Sequence, residues 1–300
     1  MPVPHHGERE AQEEVLVGLR AAVALSAVIL AVEAVGAVFS RSLSLTVDTV
    51  HNIPDILAFA ISYTALRSTR HGSSDEFTFG THRLEVFAGL FNGLLVLATG
   101  VGFGLAAGMD LYQGRSFAGP IDAVWLVAVA APTLGLRLAN LRVLGRIPAR
   151  ARDLNLRSVV VHLASDLAIT GAILVAGVVL LVRPADAWAD PVAALFVAAV
   201  LVREAWPLLR EGWEVLTERT PRGLSVDAIT RSALAEPGVT GLHDVHVWSL
   251  CSTLVCMTAH VGVKEMSLHQ SVAVVERLRG RMEREFGIVH STFEVEAPPG

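Results

Sequence analysis

The feature that most constrains this chain is a series of six long apolar segments. Each is long enough for a helix of about 20 residues, which is the length that crosses the hydrocarbon core of a bilayer. The chain is 52% hydrophobic and only 18% charged, and its apolar residues are clustered, so the sequence predicts a helical protein that crosses a membrane several times. The predicted spans are Ala21–Phe39, Leu43–Leu66, Leu84–Met109, Ile121–Leu144, Leu156–Val182 and Trp188–Leu209.

Arginine is unevenly distributed between the connections, and this predicts the orientation. The connections between spans 2 and 3 and between spans 4 and 5 are rich in it: Arg67, Arg70, Arg83, Arg142, Arg146, Arg150, Arg152 and Arg157. The other side has only the isolated residues Arg41, Arg115 and Arg183. Basic connections stay in the cytoplasm, so we expect both termini there as well. The mixed, acidic segment before the first span is a poor signal peptide, and we expect that span to be retained.

After the sixth span the pattern changes to that of a small soluble domain. It reads as a helix, two strands, a helix and a strand: Leu224–Ala235, His243–Leu250, Leu254–Val263, Ser267–Phe286 and His290–Glu296. This order predicts an α+β layer domain, small enough for dimerisation or metal binding to help its stability. The predicted organisation is an N-terminal cytoplasmic segment (1–20), a six-helix transmembrane domain (21–211) and a cytoplasmic domain (212–300).

Two of the predicted spans carry a histidine and an aspartate four residues apart: His51 with Asp55, and His162 with Asp166. This spacing places both side chains of a pair on one face of a helix. Ionisable groups are expensive in hydrocarbon and usually functional there. Polar contacts between packed helices are the alternative explanation, but two matching pairs favour a tetrahedral Zn²⁺ site.

The charges of these four residues suggest a mechanism. With neutral imidazoles and ionised aspartates the empty site carries a charge of −2, which one divalent cation neutralises. Protons can take the place of the metal on the same groups, so a proton gradient could drive metal export. The mixed nitrogen and oxygen donors favour zinc-like ions over Mg²⁺ or Ca²⁺. Asp48 and Asn52 extend the polar stripe of the second span, and we expect them to support the ligands or line the pathway.

Further motifs surround these pairs, and together they resemble the cation diffusion facilitator family over nearly the whole chain. The resemblance implies a six-helix bundle with a ferredoxin-like cytoplasmic domain, a homodimer, and metal/proton antiport by alternating access. Where some relatives have aspartate this chain has His51, which implies zinc rather than a broader range. The motifs are Ser42-Leu43-Ser44-Leu45, Asp48-x-x-His51-x-x-x-Asp55, Phe79-Gly80-Thr81-His82-Arg83-Leu84-Glu85, Asn92, His162-x-x-x-Asp166, Asp190-Pro191 and His243-Asp244-Val245-His246-Val247-Trp248-Ser249-Leu250.

The resemblance also implies a regulatory metal site in the cytoplasmic domain. Its ligands would be His243 and His260, completed on the last strand by His290 and by Glu296 or Glu294.

Two further positions of possible metal ligands are not expected to bind metal. His246 lies three residues after His243 on a strand, so we expect it to face the other way and to pack in the domain. A site that some relatives have in the connection between spans 2 and 3 needs histidines where this chain has Phe77 and Thr81, and we do not expect it here.

The sequence therefore predicts a homodimeric, proton-coupled exporter of cytoplasmic Zn²⁺ in the cell (inner) membrane, and not an enzyme. The same fold carrying Mn²⁺, Co²⁺, Cd²⁺ or Fe²⁺ is the nearest alternative. A membrane metal sensor and an intramembrane metalloenzyme are alternatives from other classes. The enzyme would need a metal-bound water and a base, as in H-E-x-x-H, and the sequence has no such motif. The slightly acidic net charge of −5 gives no support for nucleic-acid binding.

Overall fold

The structure is a computed structural model that describes residues 24–54, 75–114, 120–145, 154–252 and 254–296. The chain divides into two compact units, and each is considered by itself. One comprises Met1–Thr64 with Phe91–Pro207, and the other comprises Ala65–Leu90 with Leu208–Gly300.

The first part of the chain is helical, as the apolar segments predict. Among the described residues, four helices are long and apolar enough to cross a membrane, so the prediction of a multi-pass helical domain is confirmed. A shorter apolar helix precedes them, and α2 reaches the edge of the described residues, so the count of six spans stays a prediction. The helices are α1 (Ala24–Ser40), α2 (43–54), α3 (Arg83–Gln113), α4 (Ala123–Gly145), α5 (Leu154–Val182) and α6 (Ala189–Leu216).

Side chains in these helices are arranged as lipid requires. Large apolar residues point outward, for example Phe91, Leu105 and Val175, each more than 60% exposed. Charged residues such as Glu33 and Asp48 are instead fully buried among the helices. This arrangement reverses the usual soluble pattern, and it suits a bundle that is surrounded by hydrocarbon.

The start of α2 is fixed by one buried carboxylate from α6. Asp190, in the first turn of α6, accepts hydrogen bonds from the backbone N–H groups of Leu43 (2.7 Å) and Ser44 (3.3 Å). The hydroxyls of Ser42 and Ser44 also donate to it, each over 2.5 Å. The first N–H groups of a helix have no acceptor within the helix, so Asp190 supplies one from a neighbouring helix. The serine-rich motif before α2 and the Asp-Pro motif of α6 therefore meet in the fold.

A buried ion cluster joins four helices. Arg137 on α4 lies 2.9 Å from a carboxylate oxygen of Glu33 on α1 and 3.1 Å from one of Asp48 on α2. Its other terminal nitrogen donates to the main-chain carbonyl of Asp166 on α5 over 2.8 Å. Asn52 on α2 donates to Glu33 over 2.5 Å. Isolated charges would be costly in this apolar interior, so their mutual pairing is what makes their burial tolerable.

The domain that follows α6, called the tail domain below, has the predicted order of helix, strand, strand, helix and strand. It consists of α7 (Val226–Leu234), β1 (Val239–Ser249), β2 (Val255–Val263), α8 (Leu268–Phe286) and β3 (Ile288–Glu296). Strand β1 runs antiparallel to β2, and β3 runs parallel to β2, so β2 is the central strand. The observed β1 begins four residues before its predicted start at His243, because Gly241 continues the strand pairing.

Local chemistry explains where the two tail helices begin and end. Ser225 caps the N-terminus of α7, and Ser267 forms a capping box with Gln270 at the start of α8. Gly287 ends α8 in the left-handed conformation with a φ of 68°, which glycine adopts without strain. Fully buried Leu278 and Met282 place one face of α8 in the core of the domain.

We expect Asp190→Ala to destabilise the membrane domain by several kcal/mol, because four buried donors lose one shared acceptor and each orphaned group costs about 1–3 kcal/mol. Asp122→Ala is the matched control, since Asp122 caps α4 from an exposed position and its loss should cost about 1 kcal/mol. Equilibrium unfolding of the detergent-solubilised full chain measures both. Equal costs for the two variants would contradict the role assigned to Asp190.

We expect Arg137→Leu to lower the free energy of unfolding by about 3–5 kcal/mol, because Glu33 and Asp48 would be left buried without their counter-ion. Arg142→Leu is the matched control on the same helix, where the side chain is exposed. The same unfolding measurement compares them. If Arg137→Leu were as stable as Arg142→Leu, the buried ion cluster would not be what holds the helices together.

Candidate metal centres

Helices α2 and α5 bring His51, His162 and Asp166 to one point inside the membrane domain. Ligand atoms of all three residues lie within 4.8 Å of one another. The two imidazole rings meet edge to face, with 6.0 Å between their centroids. The i, i+4 spacing of α5 places His162 Nε2 3.8 Å from Asp166 Oδ2. Asp55, the fourth predicted ligand, lies outside the described residues.

The burial of this cluster suits a dehydrated cation. His51 is 1% exposed and Asp166 is 7% exposed. Within the part of the chain that the structure describes, Asp166 Oδ1 is buried without a hydrogen-bond partner. A buried carboxylate oxygen without a partner carries a large desolvation cost, and a bound cation would offset it. The residues present therefore fit a divalent cation with mixed nitrogen and oxygen ligands.

Asp48 and Asn52, the predicted supporting residues, belong to the ion cluster and not to the ligand group. Asp48 pairs with Arg137, and Asn52 donates to Glu33. Both lie on α2 within one turn of His51, so they fix the helix that presents it. Through Arg137 the same cluster also holds the backbone of Asp166.

Two residues next to this cluster, Arg137 and Glu204, were not predicted from the sequence. Glu204 on α6 places Oε2 3.9 Å from His51 Nε2 and 3.8 Å from His162 Nδ1. Both residues fall inside predicted spans. The rule that an ionisable residue within a span is functional by default, applied to every span, would have found them.

A second cluster lies on the sheet of the tail domain and contains three of the predicted ligands. His243 on β1 pairs across the strands with His260 on β2, and their ring centroids are 5.2 Å apart. Glu296 on β3 contacts both rings, at 2.7 Å from His243 Nε2 and 2.8 Å from His260 Nδ1. The group is more open than the membrane cluster, since His243 is 59% exposed.

A β-bulge in β1 changes which way His246 points, so the sequence-based interpretation of this residue was wrong. His243 pairs with His260, whereas His246 pairs with Thr258, so β1 contains one more residue than β2 over this stretch. Asp244, within the bulge, has a φ of 49°. Because of the extra residue His246 lies on the same face as His243, and it is 64% exposed rather than packed.

His290 does not join the tail cluster. In the register of β3 it faces Cys256, four residues before His260, which is about 13 Å along the strand. Its ring instead lies edge-on to Phe79, with the centroids 5.8 Å apart. Of the two carboxylates that the sequence leaves open, Glu296 lies with His243 and His260, whereas Glu294 lies 3.7 Å from His260 Nε2.

The carboxylates of the tail cluster favour the protonated form of His260. The hydrogen bond that the protonated imidazole donates to Glu296 raises the pKa of His260, and the hydrogen bonds that Glu296 accepts from His260 and His243 lower the pKa of Glu296. Asp244 adds a carboxylate oxygen 3.5 Å from His260 Nε2. The imidazole therefore keeps its proton to a higher pH than a free histidine, and a metal must displace that proton.

Two family models match consecutive parts of this chain. The model of the cation efflux transmembrane domain matches residues 19–217, and that of the cation efflux protein cytoplasmic domain matches residues 221–298.

Curated relatives match over most of the chain. The metal cation efflux system protein CzcD of Cupriavidus metallidurans is 29% identical over 94% of this chain and 86% of its own length. The zinc transporter ZitB of Pectobacterium atrosepticum is 30% identical, covering 93% and 84% respectively. The human proton-coupled zinc antiporter SLC30A8 is 25% identical, covering 93% and 76%. This chain therefore belongs to the cation diffusion facilitator family of cation efflux proteins, which are metal transporters and not enzymes.

Proposed function

We propose that this protein exports Zn²⁺ from the cytoplasm in exchange for protons, by alternating access. His51, Asp55, His162 and Asp166 would hold the ion in transit. The observation that carries the proposal is the convergence of two imidazoles and a carboxylate, from two helices, within 4.8 Å in the interior of a helical membrane domain. The names of the zinc transporter ZitB and the proton-coupled zinc antiporter SLC30A8 support zinc and protons as the exchanged ions.

Exchange follows from the competition of metal and protons for the same side chains. When protons occupy the imidazoles and carboxylates, the cation loses its ligands, and when the ion binds, it displaces the protons. Protons that arrive from one side can therefore release an ion that was loaded from the other. Mixed nitrogen and oxygen donors also suit Co²⁺, Cd²⁺, Mn²⁺ and Fe²⁺, so the choice of zinc needs direct competition between metals.

We further propose the arrangement that the sequence predicts for the whole molecule. It is a homodimer in the cell (inner) membrane, with six transmembrane helices over 21–211 and a ferredoxin-like cytoplasmic domain over 212–300. Both termini lie in the cytoplasm, and the tail cluster responds to cytoplasmic metal. The match of residues 221–298 to the cytoplasmic domain of cation efflux proteins supports this assignment.

Asp166→Ala should reduce zinc uptake into inverted vesicles with an imposed pH gradient by at least about tenfold, because the ion loses a charged ligand. Asp186→Ala is the control, since Asp186 lies in the short connection between α5 and α6 and away from the cluster. Competing Co²⁺, Cd²⁺, Mn²⁺ or Fe²⁺ in the same vesicles identifies the preferred metal. Coupled uptake that survives Asp166→Ala would refute the site assignment, and absence of any metal flux in the parent protein would favour a sensor.

His260→Ala should abolish metal binding by the tail domain, because His260 contacts the other residues of that cluster. The test uses the full chain with His162→Ala and Asp166→Ala, so that the membrane cluster does not contribute. Isothermal titration with Zn²⁺ should then show one class of site, lost in His260→Ala and retained in His290→Ala. Loss of binding in both histidine variants would mean that His290 is a ligand after all.

A further inference from the structure

Glu204 is a carboxylate of α6 that faces the membrane metal cluster. Its Oε2 lies 3.9 Å from His51 Nε2 on α2 and 3.8 Å from His162 Nδ1 on α5. Three helices therefore contribute side chains to this point. The predicted site uses α2 and α5 only, so Glu204 is additional to the four residues that sequence analysis assigned.

Glu204 lies as close to the His162 ring as Asp166 does. Asp166 Oδ2 is 3.8 Å from His162 Nε2, and Glu204 Oε2 is 3.8 Å from the other nitrogen of that ring. These separations are too long for hydrogen bonds. Bonds of about 2.0–2.1 Å to zinc set neighbouring ligand atoms about 3.3 Å apart in a tetrahedron. A closure of about half an ångström would bring either carboxylate into a coordination sphere.

The burial of Glu204 also favours a bound cation. Its side chain is only 16% exposed. Among the residues that the structure describes, Oε2 is buried without a hydrogen-bond partner, as Asp166 Oδ1 is. A buried carboxylate oxygen in this position is costly unless a positive charge accompanies it. A divalent cation bound beside the two flanking imidazoles would provide the positive charge and would contact the oxygen that lacks a hydrogen-bond partner.

The two carboxylates lie at different nitrogens of one histidine ring. Asp166 faces Nε2 of His162, and Glu204 faces Nδ1. A neutral imidazole binds metal through one nitrogen only, because the other carries the proton. One ion can therefore use Nε2 together with Asp166, or Nδ1 together with Glu204, but not both nitrogens at once. His51 lies close to both carboxylates.

We propose that Glu204 is a metal-binding residue of the transport site, forming with His51 and His162 a second ligand set on the far side of the His162 ring from Asp166. This inference rests on the proposed function. A divalent cation would occupy the two neighbouring sets alternately, so the ion passes between carboxylates of different helices. Each move requires His162 to release the proton from the nitrogen that takes the ion and to bind a proton at the nitrogen that loses it. The structure places the three donors of the second set on α2, α5 and α6.

The test is a titration of the full chain with Co²⁺ alone, in detergent, followed by the visible d–d absorption that reports the ligands of the metal. His243→Ala and His260→Ala are present throughout, so that the tail cluster does not bind. Glu204→Gln should weaken Co²⁺ binding by at least about tenfold and change the absorption bands, because an amide replaces a charged carboxylate. Glu204→Asp should recover part of the affinity. Glu211→Gln, an exposed position on the same helix, is the matched control and should behave as the parent.

The outcomes separate this inference from the function on which it rests. Unchanged bands in Glu204→Gln, with or without loss of affinity, would show that Glu204 only positions the imidazoles and is not a ligand. If Asp166→Asn loses binding while Glu204→Gln matches the parent, the second ligand set is wrong and the transport site stands. If the parent binds no Co²⁺, or Asp166→Asn also matches it, the transport site itself is wrong.

Discussion

The pairing of Arg137 with two buried carboxylates is the interaction on which the membrane domain depends. A guanidinium at the centre of an apolar bundle is tolerated only when its donors are satisfied, and Glu33, Asp48 and the Asp166 carbonyl satisfy them. Each partner comes from a different helix. Charge and hydrogen bonding therefore hold the ligand-bearing helices α2 and α5 at a fixed separation. Apolar packing alone would distinguish poorly between alternative rotations of these helices about their axes.

Much of the architecture was predictable from local sequence because it follows from local physics. The lengths of the apolar segments predict the long helices, and the caps Ser225 and Ser267 mark where the tail helices begin. The i, i+4 spacing of His162 and Asp166 is also a local property, and the structure retains it. Predicting these features does not require knowing the tertiary contacts of any residue.

What sequence analysis missed depends on tertiary packing. The presence of Glu204 within a span marks it as a candidate, but its approach to the two imidazoles depends on how α6 packs against α2 and α5. The direction of His246 depends on one extra residue in β1, marked only by the positive φ of Asp244. The separation of His290 from His260 depends on the register of a parallel strand pair, which a single strand sequence does not fix.

Because Arg137 binds the main-chain carbonyl of Asp166, the contact that anchors α5 is independent of the side chain at that position. Replacing the carboxylate would change what the cluster can coordinate and leave the anchoring hydrogen bond available. The position of α5 and the chemistry of the carboxylate at residue 166 are therefore separate properties of one residue.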